Sequence, residues 1–227
     1  MKNAQWTLAG EKVEARAAGT LWWPAGRMLA VGDLHLGRPA AAAARGEPFL
    51  PPYGDDDTLN RLEAEIAATA PCHVVLVGDS FDDCLGAVAT AAAFGARLAA
   101  LAEGRTMTWI AGNHDPRPVA GLPGRWAGAL ALGPVDIRHI AATAAPPEGR
   151  AEISAHFHPR AEIWRRGARV RRRCFLADTR RAILPAFGTY TGGLDVRDPC
   201  MRGLVGDEAA ALMIGKRVVP VPLARLG

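Results

Sequence analysis

Four short apolar runs in this chain end alike. Met28-Leu-Ala-Val31 runs into Gly32-Asp33, His73-Val-Val-Leu-Val77 into Gly78-Asp79, Thr106-Met-Thr-Trp-Ile-Ala111 into Gly112-Asn113, and Glu152-Ile-Ser-Ala155 into His156. Each reads as a buried strand closed by a small residue and followed by a polar side chain of ligand type. Helical segments separate the first three runs. Asp55-Asp-Asp-Thr58 offers N-cap chemistry and first-turn negative charge, and Leu59, Leu62, Ile66 and Ala70 then keep helical spacing until Pro71. A second helix is expected over residues 85–102, with Leu85, Val88, Ala92 and Leu98 on one side.

After Pro134 the pattern turns to strands. Arg169–Leu176, Ala182–Leu184, Ala211–Ile214 and Arg217–Val221 read as a later, largely antiparallel half, and residues 5–8 and 13–23 as an opening meander. The order β-α-β-α-β followed by antiparallel strands predicts an α/β fold of two packed sheets with helices outside. Such sheets bind ligands beyond the carboxyl ends of their strands, where the polar residues above fall. No repeat or linker divides the 227 residues, so one domain over 1–227 is expected, long enough for a core without disulfide or metal staples.

The formal charge of +4 averages over an uneven chain. Nine arginines between Arg160 and Arg181 meet only Glu162 and Asp178, so that segment carries +7 and the other 205 residues carry −3. Arginine suits bidentate phosphate contacts better than lysine, which occurs only at positions 2, 12 and 216. Codon usage in a GC-rich genome explains the abundance of arginine equally well, but not its clustering. Cys72, Cys84, Cys174 and Cys200 form no CxxC pair, and Cys72 and Cys84 sit beside apolar residues as buried thiols do. These cysteines point to a reducing cytoplasm. The first residues lack the apolar core of a signal peptide, and the Ala-rich stretch at 87–102 carries Arg97, so no membrane segment is expected.

The strand-end clusters, in order, are Asp33-Leu-His35, Asp79-Ser-Phe-Asp82, Asn113-His114-Asp115, His139 and His156-Phe-His158. On extended backbone, residues i and i+2 project to one side, so Asp33/His35 and His156/His158 are each expected to form a two-toothed clamp. In Asn113-His114 the neighbours project differently, one toward a metal and the other toward a substrate. Imidazole, carboxylate and one amide without thiolate suit Mn²⁺, Fe or Zn²⁺ rather than a Cys-type structural zinc. One carboxylate bridging two such ions ~3.5–4 Å apart makes a clamp for in-line phosphoryl displacement. A single Asp-x-His is more often a hydrogen-bonded pair, and a lone His139 more often a surface or core residue. Five of the six histidines nevertheless fall in these clusters. The sixth, His73, starts a strand and is expected to be structural.

With Gly32-Asp33-Leu-His35, Gly78-Asp79-Ser-Phe-Asp82, Gly112-Asn113-His114-Asp115, His139 and Ala155-His156-Phe-His158, the chain resembles the calcineurin-like metallophosphoesterase superfamily. Only the last glycine of the pattern is altered, to Ala155. The resemblance implies a four-layer α/β/β/α sandwich and two divalent metal ions. Asp33, His35 and His158 would hold one ion, Asn113, His139 and His156 the other, and Asp79 would bridge. A metal-held hydroxide would attack phosphorus in line, His114 would protonate the leaving oxygen or stabilise the transition state, and Asp115 would orient its imidazole. Asp83 follows Asp82 where the protein Ser/Thr phosphatase branch has arginine, which argues against phosphoprotein phosphatase activity.

Further likeness extends to about residue 195. It rests on Leu36-Gly-Arg38, Arg45-Gly, Leu50-Pro-Pro-Tyr53, Pro116, Pro159, Arg172-Arg-Cys-Phe175 and Leu184–Leu194, and is similar to bacterial ligase-associated metallophosphoesterases. That branch implies a Mn²⁺-dependent DNA endonuclease or phosphodiesterase acting in DNA repair beside a ligase, a helicase and an exonuclease. Arg38, Arg45, Tyr53, Arg171, Arg172, Arg173 and Tyr190 are then candidates for substrate contact. For Arg38 and Arg45 singly, a solvated loop is the plainer account; for Tyr53, a rigid turn; for residues 187–193, a strand and tight turn rather than a loop at the active-site mouth. Alternation in the 165–173 hairpin puts Val170, Arg172 and Cys174 on one side and Arg169, Arg171 and Arg173 on the other. That alternation suits a solvated hairpin, but the arginines follow the His156/His158 clamp by only a few residues and are expected to track a DNA backbone. Two other functions compete: a phosphatase or pyrophosphatase for a small nucleotide, and a scaffold without catalysis, which the intact ligand set and His114 disfavour.

Overall fold

Both faces of the central strands are apolar, and that dictates the layering. The computed structural model describes residues 3–226. Its first sheet runs β1 (Ala4–Leu8), β2 (Glu11–Ala15), β3 (Leu21–Trp23), β4 (Met28–Val31), β5 (His73–Val77), β6 (Thr106–Ile110) and β7 (Arg125–Ala127) in spatial order. The meander expected over residues 5–8 and 13–23 is β1 to β3, which β4 continues antiparallel, and β4 to β7 are parallel. Along β4 and β5, Met28, Ala30, Val75 and Val77 face a core shared with the second sheet. Their neighbours Leu29, Val31, Val74 and Leu76 face the helices.

Those helices are α2 (Gly54–Thr69) and α3 (Cys84–Ala102), with the short α1 (Arg38–Ala44) before them. In α2, Leu59, Leu62 and Ile66 are buried as the spacing predicts, while Ala70 is the left-handed residue that ends the helix. Its cap is Tyr53 rather than an aspartate; the Asp55 carboxylate instead accepts the Gly37 N–H at 3.0 Å. In α3 the buried face is Ala87, Ala91, Leu98 and Leu101. Val88 is 66% exposed and Ala92 is exposed, so the face expected from the sequence is rotated. The side chain of Leu85 lies outside the described residues.

The second sheet is ordered β15 (Val218–Pro222), β14 (Ala210–Ile214), β12 (Ala168–Ala177), β13 (Arg181–Ile183), β10 (Ala151–Ser154), β9 (Val135–Arg138), β8 (Ala129–Leu132). Strand β11 (Arg160–Arg165) pairs with β12 alone. Strands β9, β10 and β13 are mutually parallel, and the remaining pairs are antiparallel. The outer face of this sheet is covered thinly, by α4 (Pro199–Arg202) and the 3₁₀ turn Leu223–Arg225. Helix, sheet, sheet and this thin fourth layer make the α/β/β/α sandwich. The carboxyl ends of β4, β5, β6, β9 and β10 carry the polar clusters. Of the cysteines only Cys174 is buried; Cys72 and Cys84, expected inside, are exposed. No helix of the described residues is long and apolar enough to cross a membrane.

Candidate metal centre

The loop after each of these strands supplies one or two side chains to a common site. Asp33 and His35 follow β4, Asp79 follows β5, Asn113 and His114 follow β6, His139 follows β9, and His156 and His158 follow β10. His139 therefore also stands at a strand end, although β9 was not read from the sequence. The two-toothed clamps arise differently from the extended geometry expected. Asp33, His35, His156 and His158 have φ of 47°, 46°, 69° and 49°, and Asp79 has 44°. Each sits in the left-handed region, so turns rather than strand backbone aim the side chains inward.

Two clusters of ligand atoms result. Asp33, His35 and His158 converge in one, and Asp79, His139 and His156 in the other, with the atoms of each cluster within 4.8 Å of one another. Asp33 and His35 are almost wholly buried, yet His35 Nε2 has no hydrogen-bond partner. His158 Nε2 lies 3.3 Å from Asp33 Oδ1 without hydrogen-bond geometry. In the second cluster the Val77 carbonyl can only accept, so the proton of His139 sits on Nδ1, 3.0 Å away. In the neutral ring, Nε2 then faces Asn113 Oδ1 at 3.0 Å and Asp79 Oδ2 at 3.2 Å, three lone-pair donors converging. Lone pairs so arranged call for a cation, and imidazole with carboxylate and amide suits a borderline divalent ion. The residues fit two such ions.

The charges agree. Burial alone would raise the Asp79 carboxyl, but His139 and the His114 N–H hold it down at about 2. Burial opposes a proton on His139, yet the carboxylates of Asp79 and Asp33 outweigh it and raise its pKa. His156 is lowered by burial and by His139. Close backbone approach makes the site possible: a Cβ on Gly78, itself at φ +78°, would lie 2.3 Å from His139 Nδ1, and one on Gly112 would lie 2.1 Å from Asp79 Oδ1. Ala155, where the family pattern has glycine, is buried with its methyl against Gly32 and displaces no ligand.

His114 stands beside the first cluster, its ring centroid 5.1 Å from that of His35. Its Nδ1 donates to the Asp82 carbonyl at 2.7 Å, which leaves Nε2 free. Asp115 does not orient this imidazole, contrary to expectation. Its carboxylate accepts the backbone N–H groups of Asp79, Ser80, Phe81 and Gly112, fastening the β5 and β6 loops together. Burial pushes its pKa up to about 6, helped by the charge of Asp79 and opposed by those N–H donors. Asp82, given no role from the sequence, is the buried carboxylate behind the centre. Its Oδ1 is 3.1 Å from His35 Nδ1 and 2.8 Å from Arg38 Nη1, and its Oδ2 is 3.0 Å from Arg45 Nη2. Despite burial, these partners hold it well below the usual carboxylate range. Arg38 and Arg45 are thereby tied to Asp82.

Tyr53 is exposed at the start of α2, and Tyr190 lies against Gly54 in the first turn of that helix. Residues 187–193 do line the mouth: Phe187 and Gly188 donate to the carbonyls of Gly32 and Asp33, and a Cβ on Gly193 would lie 2.0 Å from the His158 carbonyl oxygen. The three hairpin arginines separate. Arg171 and Arg172 are exposed, Arg172 in a groove with Ile163, Val170 and Met213 that no candidate ligand lines. Arg173 is turned inward, donating to the carbonyls of Ala186 at 3.0 Å and Ala18 at 2.8 Å; burial lowers its pKa to about 10. It is a structural tie rather than an arm reaching for substrate. Sequence reasoning missed Arg61 and singled out no role for Arg160, which flank His158; Arg61 is isolated on its helix, and Arg160 is one of nine clustered arginines that sequence alone does not rank.

No curated protein sequence matches this chain. Among solved structures it is similar to the Pseudomonas putida nuclease MPE, with a TM-score of 0.75 and 23% identity over 97% of this chain and 100% of that one, a likeness of fold. Residues 26–179 match the calcineurin-like phosphoesterase family. That span holds every residue of both ligand clusters, and the chain belongs to the calcineurin-like phosphoesterase family as a metal-dependent phosphoesterase.

Proposed function

We propose that this protein is a binuclear phosphodiesterase, a DNA endonuclease or phosphodiesterase working in DNA repair. The observation that carries this reading is the pair of adjacent ligand clusters, in the first of which the Nε2 atoms of His35 and His158 lack partners, with His114 alongside. Asp33, His35 and His158 would hold one ion, and Asn113, His139 and His156 the other, with Asp79 between them. When bound, two such ions, Mn²⁺ by preference, supply Lewis acidity to phosphoryl oxygens and activate water for in-line displacement. The protein's own contribution is positional. Asp82 places its carboxylate 3.1 Å from His35 Nδ1, and Asp115 fixes the peptides on either side of Asp79. His114, with Nδ1–H held by the Asp82 carbonyl, carries at Nε2 the proton that the departing alkoxide takes up.

A nucleic-acid substrate is supported by the nuclease that shares this fold and by the arginines around the mouth. A ligase, a helicase and an exonuclease are the proposed companions. Four free cysteines, three of them exposed, support a reducing cytoplasm. Both ends of the chain contribute strands to the sheets that enclose one core, which supports a single domain over 1–227. The test is to strip the protein of metal and restore Mn²⁺, Zn²⁺ or Mg²⁺, with mono- and bis-p-nitrophenyl phosphate and a hairpin DNA as substrates. Mn²⁺ should restore hydrolysis of the diester and the DNA, and His114→Ala should lower it by about 10²–10⁴-fold. Hydrolysis of the monoester alone would favour a small-nucleotide phosphatase, and full activity in His114→Ala would refute the proton donor.

A further inference from the structure

Beside His158 lies a cavity of about 240 Å³ with Arg61, Arg160, Arg173, Asp57 and Thr191 in its wall. Three guanidinium groups against one carboxylate leave it strongly positive. Arg61 is fixed in place: its guanidinium stacks 4.4 Å from the Phe187 ring centre, Nε reaches Asp57 at 3.0 Å, and Nη2 reaches the Phe187 carbonyl at 2.8 Å. Its Nη1 is buried with no partner, and so is the hydroxyl of Thr191. Arg160 makes a single long bond, Nη2 to the Thr191 carbonyl at 3.3 Å, and among the described residues forms no ion pair. Arg173 is held by two carbonyls and contributes charge alone.

Buried donors without partners are costly, and an anion that accepts from several at once relieves the cost. The cavity shares His158 with the first ligand cluster, so an anion there belongs to the same molecule whose phosphate occupies the metal centre. We propose that this cavity is a second phosphate site. It holds the phosphate next to the scissile one and thereby selects a nucleic-acid strand over an isolated diester. The proposal rests on the phosphodiesterase reading and adds the substrate feature that the metal ligands cannot recognise.

The test uses the Mn²⁺-loaded protein and short thymidine substrates. These are the dinucleoside monophosphate, the same with a 5′ or a 3′ terminal phosphate, and trinucleotides whose second linkage is either charged or a neutral methylphosphonate. On one side of the scissile bond, the added charge should lower KM about tenfold, the worth of one charge-assisted contact set. Arg160→Gln should erase the difference. The terminal-phosphate and internal-linkage arms tell a reader of strand ends from a reader of the strand. Equal KM for all wild-type substrates, or a gain undiminished in Arg160→Gln, overturns the proposal. A second readout avoids catalysis: anisotropy of labelled decathymidylate on metal-free protein should show about tenfold weaker binding in Arg160→Gln and a salt slope smaller by about one. Unchanged binding there also overturns it. Failure to hydrolyse any diester would refute the phosphodiesterase reading, while the binding measurement would still decide the cavity.

Discussion

Metal ligands held at positive φ should make the metal-free protein pay for its own active site, and a pair of substitutions isolates that cost. Asp33, His35, Asp79, His156 and His158 all sit between 44° and 69°, where a residue with a Cβ is disfavoured by about 1–2 kcal/mol. His158 is the most accessible of the first cluster, with 17% of its side chain exposed. Replacing it by alanine or by glycine therefore removes the same imidazole contacts. The two variants differ chiefly in whether a Cβ remains at φ 49°. In EDTA, His158→Gly should exceed His158→Ala in stability by about 1 kcal/mol, which is about 2–4 °C in melting temperature for a chain of this size. His139 is the control, because its φ is not positive. There glycine only adds unfolded-state freedom, and His139→Gly should fall below His139→Ala by about 0.5–1 kcal/mol. Thermal melts of the four metal-free variants by circular dichroism test the reversal of sign. Alanine superior at both positions would refute the idea that strain is stored at the ligands.

Other perturbations reach different parts of the molecule. Burial and Arg125 lower the pKa of His73, so the unfolded chain binds the extra proton first and stability should fall as pH drops below about 6.5. His73→Gln should flatten that slope in urea titrations between pH 5 and 7. Asp82→Asn should weaken metal binding about 10–100-fold, because it removes the carboxylate beside His35 Nδ1 and leaves Arg38 and Arg45 with Glu47 alone, and isothermal titration with Mn²⁺ would detect it. Arg173→Ala should destabilise by about 2 kcal/mol by orphaning two carbonyls, whereas Arg172→Ala should melt like the wild type.

How much of this could be read from sequence depended on whether the determinant was local. The apolar runs β4, β5, β6 and β10, with their Gly-Asp, Gly-Asn or Ala-His endings, announce themselves, since burial on both faces leaves few polar residues to blur them. Strand β9, with the sequence Val-Asp-Ile-Arg, has polar alternation and only four residues, so His139 looked isolated until its pairing with β10 was seen. The face of α3 was misjudged because alanine fills it nearly all round. In such a helix the large residues no longer mark the buried side; Val88 points out while Ala87 and Ala91 pack inward. Asp115 was misassigned because adjacency to His114 in sequence suggests contact. Its partners are instead four backbone N–H groups, which have no sequence signature.

The arginine cluster shows most clearly why a charge count says little about function. Of the nine cations between 160 and 181, Arg181 is buried, donating to the carbonyls of Ala142, Ala144 and Leu204 and lying 3.2 Å from Glu152. Arg173 ties Ala186 to Ala18, and Arg169 pairs with Glu162 at 2.6 Å. These three hold the second sheet and its hairpin together; Arg169 and Arg181 face carboxylates, and Arg173 keeps its charge but has its donors committed. At the hairpin tip, Arg166 and Gly167 have φ of 52° and 75°, both positive as a tight two-residue turn requires, and Trp164 beside them is 74% exposed. Only Arg160 combines proximity to His158 with donors left uncommitted, and its partner across the cavity, Arg61, comes from α2 a hundred residues earlier. Phosphate recognition here follows from which guanidinium groups the fold leaves unsatisfied beside the ligands, and the density of arginine along the chain does not measure it.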